Sequence, residues 1–136
     1  MASLYIAAAH KSSGKTSVSV GLTAALVKRG LNVQTFKKGP DYIDPLWLTR
    51  AAGQPCYNLD FFTQSHQEIE SLYSRKSAGT DISLIEGNKG LFDGVDVEGS
   101  DSNAAMATLL STPVVLVIDT VEQPLVAFDQ ADISTC

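Results

Sequence analysis

Cysteine is nearly missing: Cys56 and Cys136 are the only two in 136 residues, far apart and in no metal-ligand spacing. That excludes a disulfide-stapled scaffold and a cysteine zinc site, and predicts free thiols in a reducing compartment. No uninterrupted apolar run approaches the roughly 18 residues that a membrane span needs. The apolar stretch Leu4–Ala9 has no basic region before it and runs straight into a Lys/Ser/Gly loop. It therefore reads as a buried strand and not as a signal peptide, and the cytoplasm is the expected compartment. Basic charge is also short. Ten Lys and Arg against fifteen Asp and Glu give a net charge of −5 and a pI of about 4.8. Such a balance leaves no electrostatic footprint for nucleic acid and disfavours anionic membranes.

What remains is a foldable composition, 44% hydrophobic and 18% charged, of a length that suits one domain with a real core. Leu4–Ala9 predicts a first strand, and a helix follows from Gly14 to Arg29, with Val18, Leu22, Ala25, Leu26 and Val27 at helical spacing and Gly30 as its stop. Asn32–Phe36 predicts a second strand, Lys37–Pro45 a loop rich in Gly, Pro and Asp, and Pro45–Ala52 a short helix. Thr63–Ser74 reads as a helix capped by Thr63, Ile82–Ile85 as a buried strand, and residues 87–101 as a glycine-rich acidic loop. Asn103–Leu110 is helical in character, and Pro113–Ile118 is an apolar, β-branched strand of the kind buried on both faces. The alternation predicts an α/β fold with a mainly parallel sheet of about four strands flanked by helices, small enough to suggest an incomplete domain. Ligands bind such sheets beyond the C-terminal strand ends, and the polar residues of interest gather there.

The first of those ends carries Ala9-His10-Lys11-Ser12-Ser13-Gly14-Lys15-Thr16, which fits the phosphate-loop pattern G-x-x-x-x-G-K-[ST] with Ala9 in place of the first glycine. Backbone N–H groups of Ser12, Ser13, Gly14, Lys15, Thr16 and Ser17 would cradle phosphates at a helix N-terminus. Lys15 would reach the β- and γ-phosphates, and the Thr16 hydroxyl would ligate Mg²⁺, so ATP with Mg²⁺ is the expected cofactor. Lys11 reads as a solvated charge and His10 as a loop residue without special chemistry.

Carboxylates occupy the other strand ends. Asp41 and Asp44, three apart in a turn, can aim at one point as hard ligands for Mg²⁺; the same residues also suit ordinary turn chemistry. Glu86 stands at a strand tip, where phosphoryl transfer needs a metal ligand, and Asp93 follows among glycines. Asp119 could contact a base or cap the next segment.

Three stretches together carry a resemblance: Ser13-Gly14-Lys15-Thr16, then Phe36-Lys37-Lys38-Gly39-Pro40-Asp41-Tyr42-Ile43-Asp44-Pro45, then Glu86 through Gly94. They resemble the N-terminal synthetase domain of the cobyrinic acid a,c-diamide synthase family. The loop from Asn88-Lys89 through Val95–Asn103 looks closer to its sirohaem-amidating branch. The resemblance implies a P-loop NTPase-like fold. It also implies an ATP-dependent ligase that turns peripheral carboxylates of a tetrapyrrole into carboxamides through an acyl phosphate, with ammonia from glutamine. It implies Lys15, Asp41, Asp44 and Asp93 as catalytic positions, and Thr16, Asp41 and Glu86 around Mg²⁺. Family members carry a glutaminase domain with a Cys nucleophile and a His base. Neither Cys56 nor Cys136 sits in a Gly-x-Cys-x-Gly elbow, and His10 and His66 are the only histidines. The expectation is thus an N-terminal part of a larger protein, residues 1–136 being the ATP-binding amidoligase domain. Its expected partners are the tetrapyrrole polycarboxylate and ammonia or a glutaminase domain, and a homodimer is an assembly the sequence allows. Partition and metal-carrier ATPases fit less well, because His10 stands where they have a signature lysine. A dethiobiotin-synthetase-like ligase lacks the Gly-Pro-Asp-Tyr-Ile-Asp-Pro run. A truncated, nucleotide-binding chain without activity is the third alternative.

Overall fold

A computed structural model of the chain describes residues 2–9, 14–91 and 99–118. The elements run β1 (Ala2–Ala8), α1 (Lys15–Lys28), β2 (Val33–Lys38), α2 (Asp44–Ala52), β3 (Tyr57–Leu59), α3 (His66–Ser77), β4 (Ile82–Gly90), α4 (Asn103–Leu110) and β5 (Val114–Val117). The strands form one sheet in the order β3-β2-β4-β1-β5, and every pairing is parallel. This is the expected α/β architecture, a P-loop-like parallel sheet with helices around it.

Period-two alternation divides the core. Tyr5, Ala7, Phe36 and Ile85 point to one face, against Ile69 and Tyr73 of α3 and Met106 and Ala107 of α4. Ile6, Val33 and Leu84 point to the other, where Leu22, Leu26 and Val27 of α1 cover them. Both faces are covered, which is why these strands read as near-continuous apolar runs.

Several expected boundaries move. The sheet has five described strands and not four, since Tyr57–Leu59 adds an edge strand beside β2. Three residues with a central Asn carry too little pattern to announce a strand. Helix α3 starts at His66 and not at Thr63, because Ser65 and Glu68 form a capping box that satisfies two N-terminal donors. Thr63 instead donates to Asp60 at 3.1 Å. In α1, Val18 is 40% exposed while Ser19 and Thr23 are buried, so the inward face carries small polar residues where the spacing suggested valine. Lys37 and Lys38, expected in a loop, are the last residues of β2. The strand expected to stop at Ile85 runs on to Gly90.

That last extension is held by Asn103, which is fully buried. Its amide donates to the carbonyls of Asn88 and Gly90, and its carbonyl accepts from the Tyr5 hydroxyl at 2.8 Å and the Asn88 N–H at 3.1 Å. A Cβ on Gly87 would stand 2.5 Å from Asn103 Oδ1, so only glycine lets this link form. We expect Asn103→Ala to cost about 2–4 kcal/mol, because it orphans several buried polar groups at once; urea denaturation checks it.

Among the described residues Cys56 forms no disulfide, and burial pushes its thiol up to about 11. Among the described residues, no helix is long and apolar enough to cross a membrane.

Candidate functional site

The pleat itself begins the site. Along β2, Val33, Thr35 and Lys37 share the face that α1 covers, and along β4, Ile82, Leu84 and Glu86 do the same. The register pairs Val33 with Ile82, Thr35 with Leu84, and Lys37 with Glu86. Uncharged pairs thus give way to an ion pair toward the C-terminal end of β2, where β4 runs on past Glu86 to Gly90. Lys37 Nζ lies 2.7 Å from Glu86 Oε1 and 2.9 Å from the Gly87 carbonyl, and the two side chains are 3% and 0% exposed.

Two helix starts complete the group. Gly14 precedes α1 at φ +80°, a left-handed conformation that favours glycine, and Lys15 and Thr16 open the helix. The Thr16 hydroxyl lies 3.2 Å from Asp44 Oδ2 and 3.2 Å from Glu86 Oε1; its single proton serves one of them at a time. Asp44, the first residue of α2, also meets Lys37 at 3.0 Å. Residues 37, 44, 86 and 16 therefore converge from four elements.

Charge follows from this crowding. Burial raises the Glu86 carboxyl, Lys37 offsets part of that rise, and the neighbouring Asp44 adds to it. Burial would raise Asp44 as well. Hydrogen bonds with Glu86 and Lys37, the charge of Lys37 and the Thr16 hydroxyl outweigh it and hold Asp44 well below the usual carboxylate range. Burial tends to lower Lys37, but its two acids win and raise it. Lys15 is lowered, first by burial and then by repulsion from Lys37.

The loop between β2 and α2 is built to hold this geometry. Asp41 Oδ1 accepts from the N–H groups of Ile43 at 2.8 Å and Asp44 at 3.3 Å, turning the chain into α2. Its other oxygen is 3.9 Å from Lys37 Nζ. Asn58 on β3 donates to the carbonyls of Gly39 at 2.6 Å and Asp41 at 2.9 Å, so the short edge strand anchors the loop. Gly39 has φ +92°, and a Cβ there would stand 2.9 Å from Asn88 Nδ2. A cleft of about 440 Å³ opens beside it, lined by Lys38, Gly39, Pro40, Asp41, Tyr42, Ile43 and Asn88.

The residues present suit a small hard cation. Glu86 Oε2 is buried and has no hydrogen-bond partner among the described residues, which is costly for a carboxylate oxygen unless something cationic meets it. Thr16 and the two carboxylates add oxygen donors beside it. Among the described residues no three His, Cys, Asp or Glu side chains gather as a metal-holding group. Mg²⁺ does not require that, since it takes one or two carboxylates together with phosphates and water.

Of the expected site residues, Lys15, Thr16, Asp44 and Glu86 come together at the strand ends. Asp41 lies at their rim, and Gly14 and the exposed Ser17 flank them. Ser12, Ser13, Asp93, Asp119, His10 and Lys11 lie outside the described residues. Sequence reasoning missed Lys37 and Asn103. The local sequence gives little signal for Lys37, since Lys38, Gly39 and Pro40 beside it read as a loop.

No family model matches the chain. It is 57% identical over 116 residues to the cobyrinate a,c-diamide synthase of Magnetococcus marinus, an alignment covering 85% of this chain and 25% of that protein. It is 45% identical over 117 residues to the cobyrinate a,c-diamide synthase of Syntrophotalea carbinolica, covering 85% and 26%. With the hydrogenobyrinate a,c-diamide synthase of Rhodobacter capsulatus it shares 43% over 119 residues, covering 85% and 27%. The chain therefore spans about a quarter of the length of these relatives.

Proposed function

We propose that this homologue of part of the cobyrinate and hydrogenobyrinate a,c-diamide synthases is the nucleotide-binding portion of an ATP-dependent carbon–nitrogen ligase, which converts peripheral carboxylates of a tetrapyrrole to carboxamides. The observation that carries the reading is the Thr16 hydroxyl, seated 3.2 Å from both Asp44 and Glu86 where the phosphate loop enters α1. The names of the relatives favour a cobyrinate-type macrocycle over a sirohaem-type one.

A carboxylate cannot lose oxide to an amine at neutral pH. ATP with Mg²⁺ would supply a transferable phosphoryl group, which converts the carboxylate to an acyl phosphate from which ammonia displaces phosphate. The chain's own task is then positioning and charge neutralisation. Backbone N–H groups from Ser12 to Ser17 would receive the phosphates, and Lys15 would neutralise the outermost ones. Thr16 and Glu86 would hold the metal, with Asp41 joining them or orienting the substrate. Asp44 and Asp93 would position the carboxylate that reacts. Lys37 acts as a positioning residue: its ammonium lets two carboxylates stand beside Thr16 without repelling each other apart. Ammonia would come from glutamine through a further domain of the full-length protein.

The nucleotide half is testable on its own. Lys15→Met should weaken MgATP binding by about 10- to 100-fold, the loss expected for one charge-assisted hydrogen bond. Isothermal titration calorimetry measures it, and unchanged affinity would remove Lys15 from the site. For the ligase half, the full-length protein should form ADP only when tetrapyrrole and an ammonia source are both present; failure to amidate any tetrapyrrole with ATP and glutamine would sink the reading.

A further inference from the structure

The end of β4 is gripped from both faces of the sheet, and only one grip belongs to the acid cluster. On the α1 face, Lys37 Nζ donates to the Gly87 carbonyl at 2.9 Å. On the other face, Gly87 lies against Asn103 and the ring of Tyr5. A Cβ there would meet Asn103 Oδ1 at 2.5 Å and Tyr5 Cε1 at 3.0 Å. Tyr5 and Asn103 are both fully buried, and neither has a role in the chemistry above.

The ladder is irregular at this point. Ile6 pairs with Glu86, but Ala8 pairs with Gly90, so Ala7 on β1 stands opposite residues 87–89 of β4. A bulge re-aims the side chains beside it, and the side chain beside this one is Glu86. The bulge also takes backbone groups out of the ladder, and these need other partners. The start of α4 supplies them. Asn103 Oδ1 accepts from the Asn88 N–H at 3.1 Å, and Asn103 Nδ2 donates to the carbonyls of Asn88 and Gly90. The Ala104 N–H donates to the Leu91 carbonyl at 2.9 Å. The Tyr5 hydroxyl, donating to Asn103 Oδ1 at 2.8 Å, fixes the way this amide points. Gly87 and Gly90 have no side chains with which to hold the shape themselves.

We infer that Asn103, oriented by Tyr5, is a positioning residue for Glu86: the pair holds the bulge that sets where the Glu86 carboxylate stands against Thr16. Both act through the backbone and touch neither nucleotide nor metal. This rests on the nucleotide half of the proposed function, in which Glu86 holds Mg²⁺, and it adds to that site two residues from the opposite face of the sheet.

Three variants of the full-length protein decide it. Tyr5→Phe removes one hydroxyl, and Asn103→Ala removes the whole clamp. Ile69→Ala, buried on α3 against the same sheet face, lowers stability without touching the bulge. Calorimetric affinity for a non-hydrolysable ATP analogue, measured with and without Mg²⁺, gives the gain that the metal brings. That gain should shrink about three- to tenfold in Tyr5→Phe and Asn103→Ala, and stay within about twofold in Ile69→Ala. Without any ligand, amide exchange at Asn88 and Leu91 should quicken about tenfold or more in the first two variants alone. In amidation, their kcat should fall about 10- to 100-fold with KM for ATP within a few-fold. An unchanged gain from Mg²⁺ in Tyr5→Phe and in folded Asn103→Ala overturns the inference. An equal loss in Ile69→Ala does so too, since the effect would then be one of general stability. If Asn103→Ala does not fold, Tyr5→Phe decides alone. Should Glu86→Gln keep the full gain from Mg²⁺, Glu86 does not hold the metal and the inference falls with that reading. No amidation by the unmutated protein refutes the ligase half only, and the calorimetry still decides the positioning role.

Discussion

Lys37→Met should lower the stability of the chain by about 3–5 kcal/mol, the range for removing one partner of a buried ion pair. The side chain is 3% exposed, and its loss leaves Glu86 without its ion-pair partner and Asp44 with one neighbour fewer. For a chain of this size the midpoint of thermal unfolding should fall by roughly 10–20 °C. Adding Glu86→Gln should restore part of the loss, giving a coupling of about 1–3 kcal/mol in a double-mutant cycle. The deficit should also depend on pH in a stated direction. Glu86 is already raised above its ordinary 4.5 by burial, and removing Lys37 takes away the charge that offsets this. Above 4.5 the unfolded chain ionises this carboxyl more readily than the folded one, so the penalty grows with pH. It shrinks again as pH falls through the raised folded value. The variant should therefore be closer to wild type at pH 5 than at pH 8. Asp44, whose folded value is lowered, runs the other way: the stability it gives is present above its ordinary 3.8 and is lost in stronger acid. Equal deficits at both pH values, or a deficit below about 1 kcal/mol, would show that the ammonium does not neutralise this cluster.

Glu86→Gln in the full-length protein should cut turnover by about 10²–10³-fold or more, while nucleotide affinity stays within about an order of magnitude. The asymmetry follows from what the amide keeps. It retains the volume and an oxygen for Lys37, so the strand end stays packed. It loses the anionic Oε2, the buried oxygen that has no partner among the described residues. In the proposed reading phosphate would be held by Lys15 and the backbone of the loop, which the substitution does not touch. The discriminating measurement pairs steady-state kinetics with calorimetric nucleotide binding. Loss of both together would make Glu86 a structural support, and intact turnover would remove it from the metal site. Thermal unfolding within about 2 kcal/mol of wild type separates this variant from Lys37→Met.

The legible parts of this molecule were those written in local pattern. Long apolar runs with a glycine-lysine-threonine turn between strand and helix placed β1 and α1, and the Asn103–Leu110 helix matched its expected bounds. Glu86 was legible because a single acid follows the short buried stretch Ile82–Ile85. Lys37 was not, because a lysine beside Lys38, Gly39 and Pro40 has every local feature of a loop. Only a partner 49 residues away lets it end a buried strand. Asn103 shows the same limit. As the first residue of α4 it reads as an ordinary helix start, yet its side chain supports backbone 13 to 15 residues earlier and a tyrosine 98 residues earlier. Tyr57–Leu59 joins the sheet through neighbours rather than through its own propensity.

The in-register pairing of Lys37 with Glu86 has a consequence for folding fidelity. Sliding β2 by one residue so that Phe36 meets Glu86 would turn Lys37 to the opposite face, among Tyr73 and Met106, and would leave Glu86 at the start of α1 without its ion-pair partner. Val33 and Leu84 alone would tolerate such a slip far better, since both faces of this sheet are greasy. The charged pair thus acts as a register key against that slip, penalising chains that close the sheet out of step in that direction.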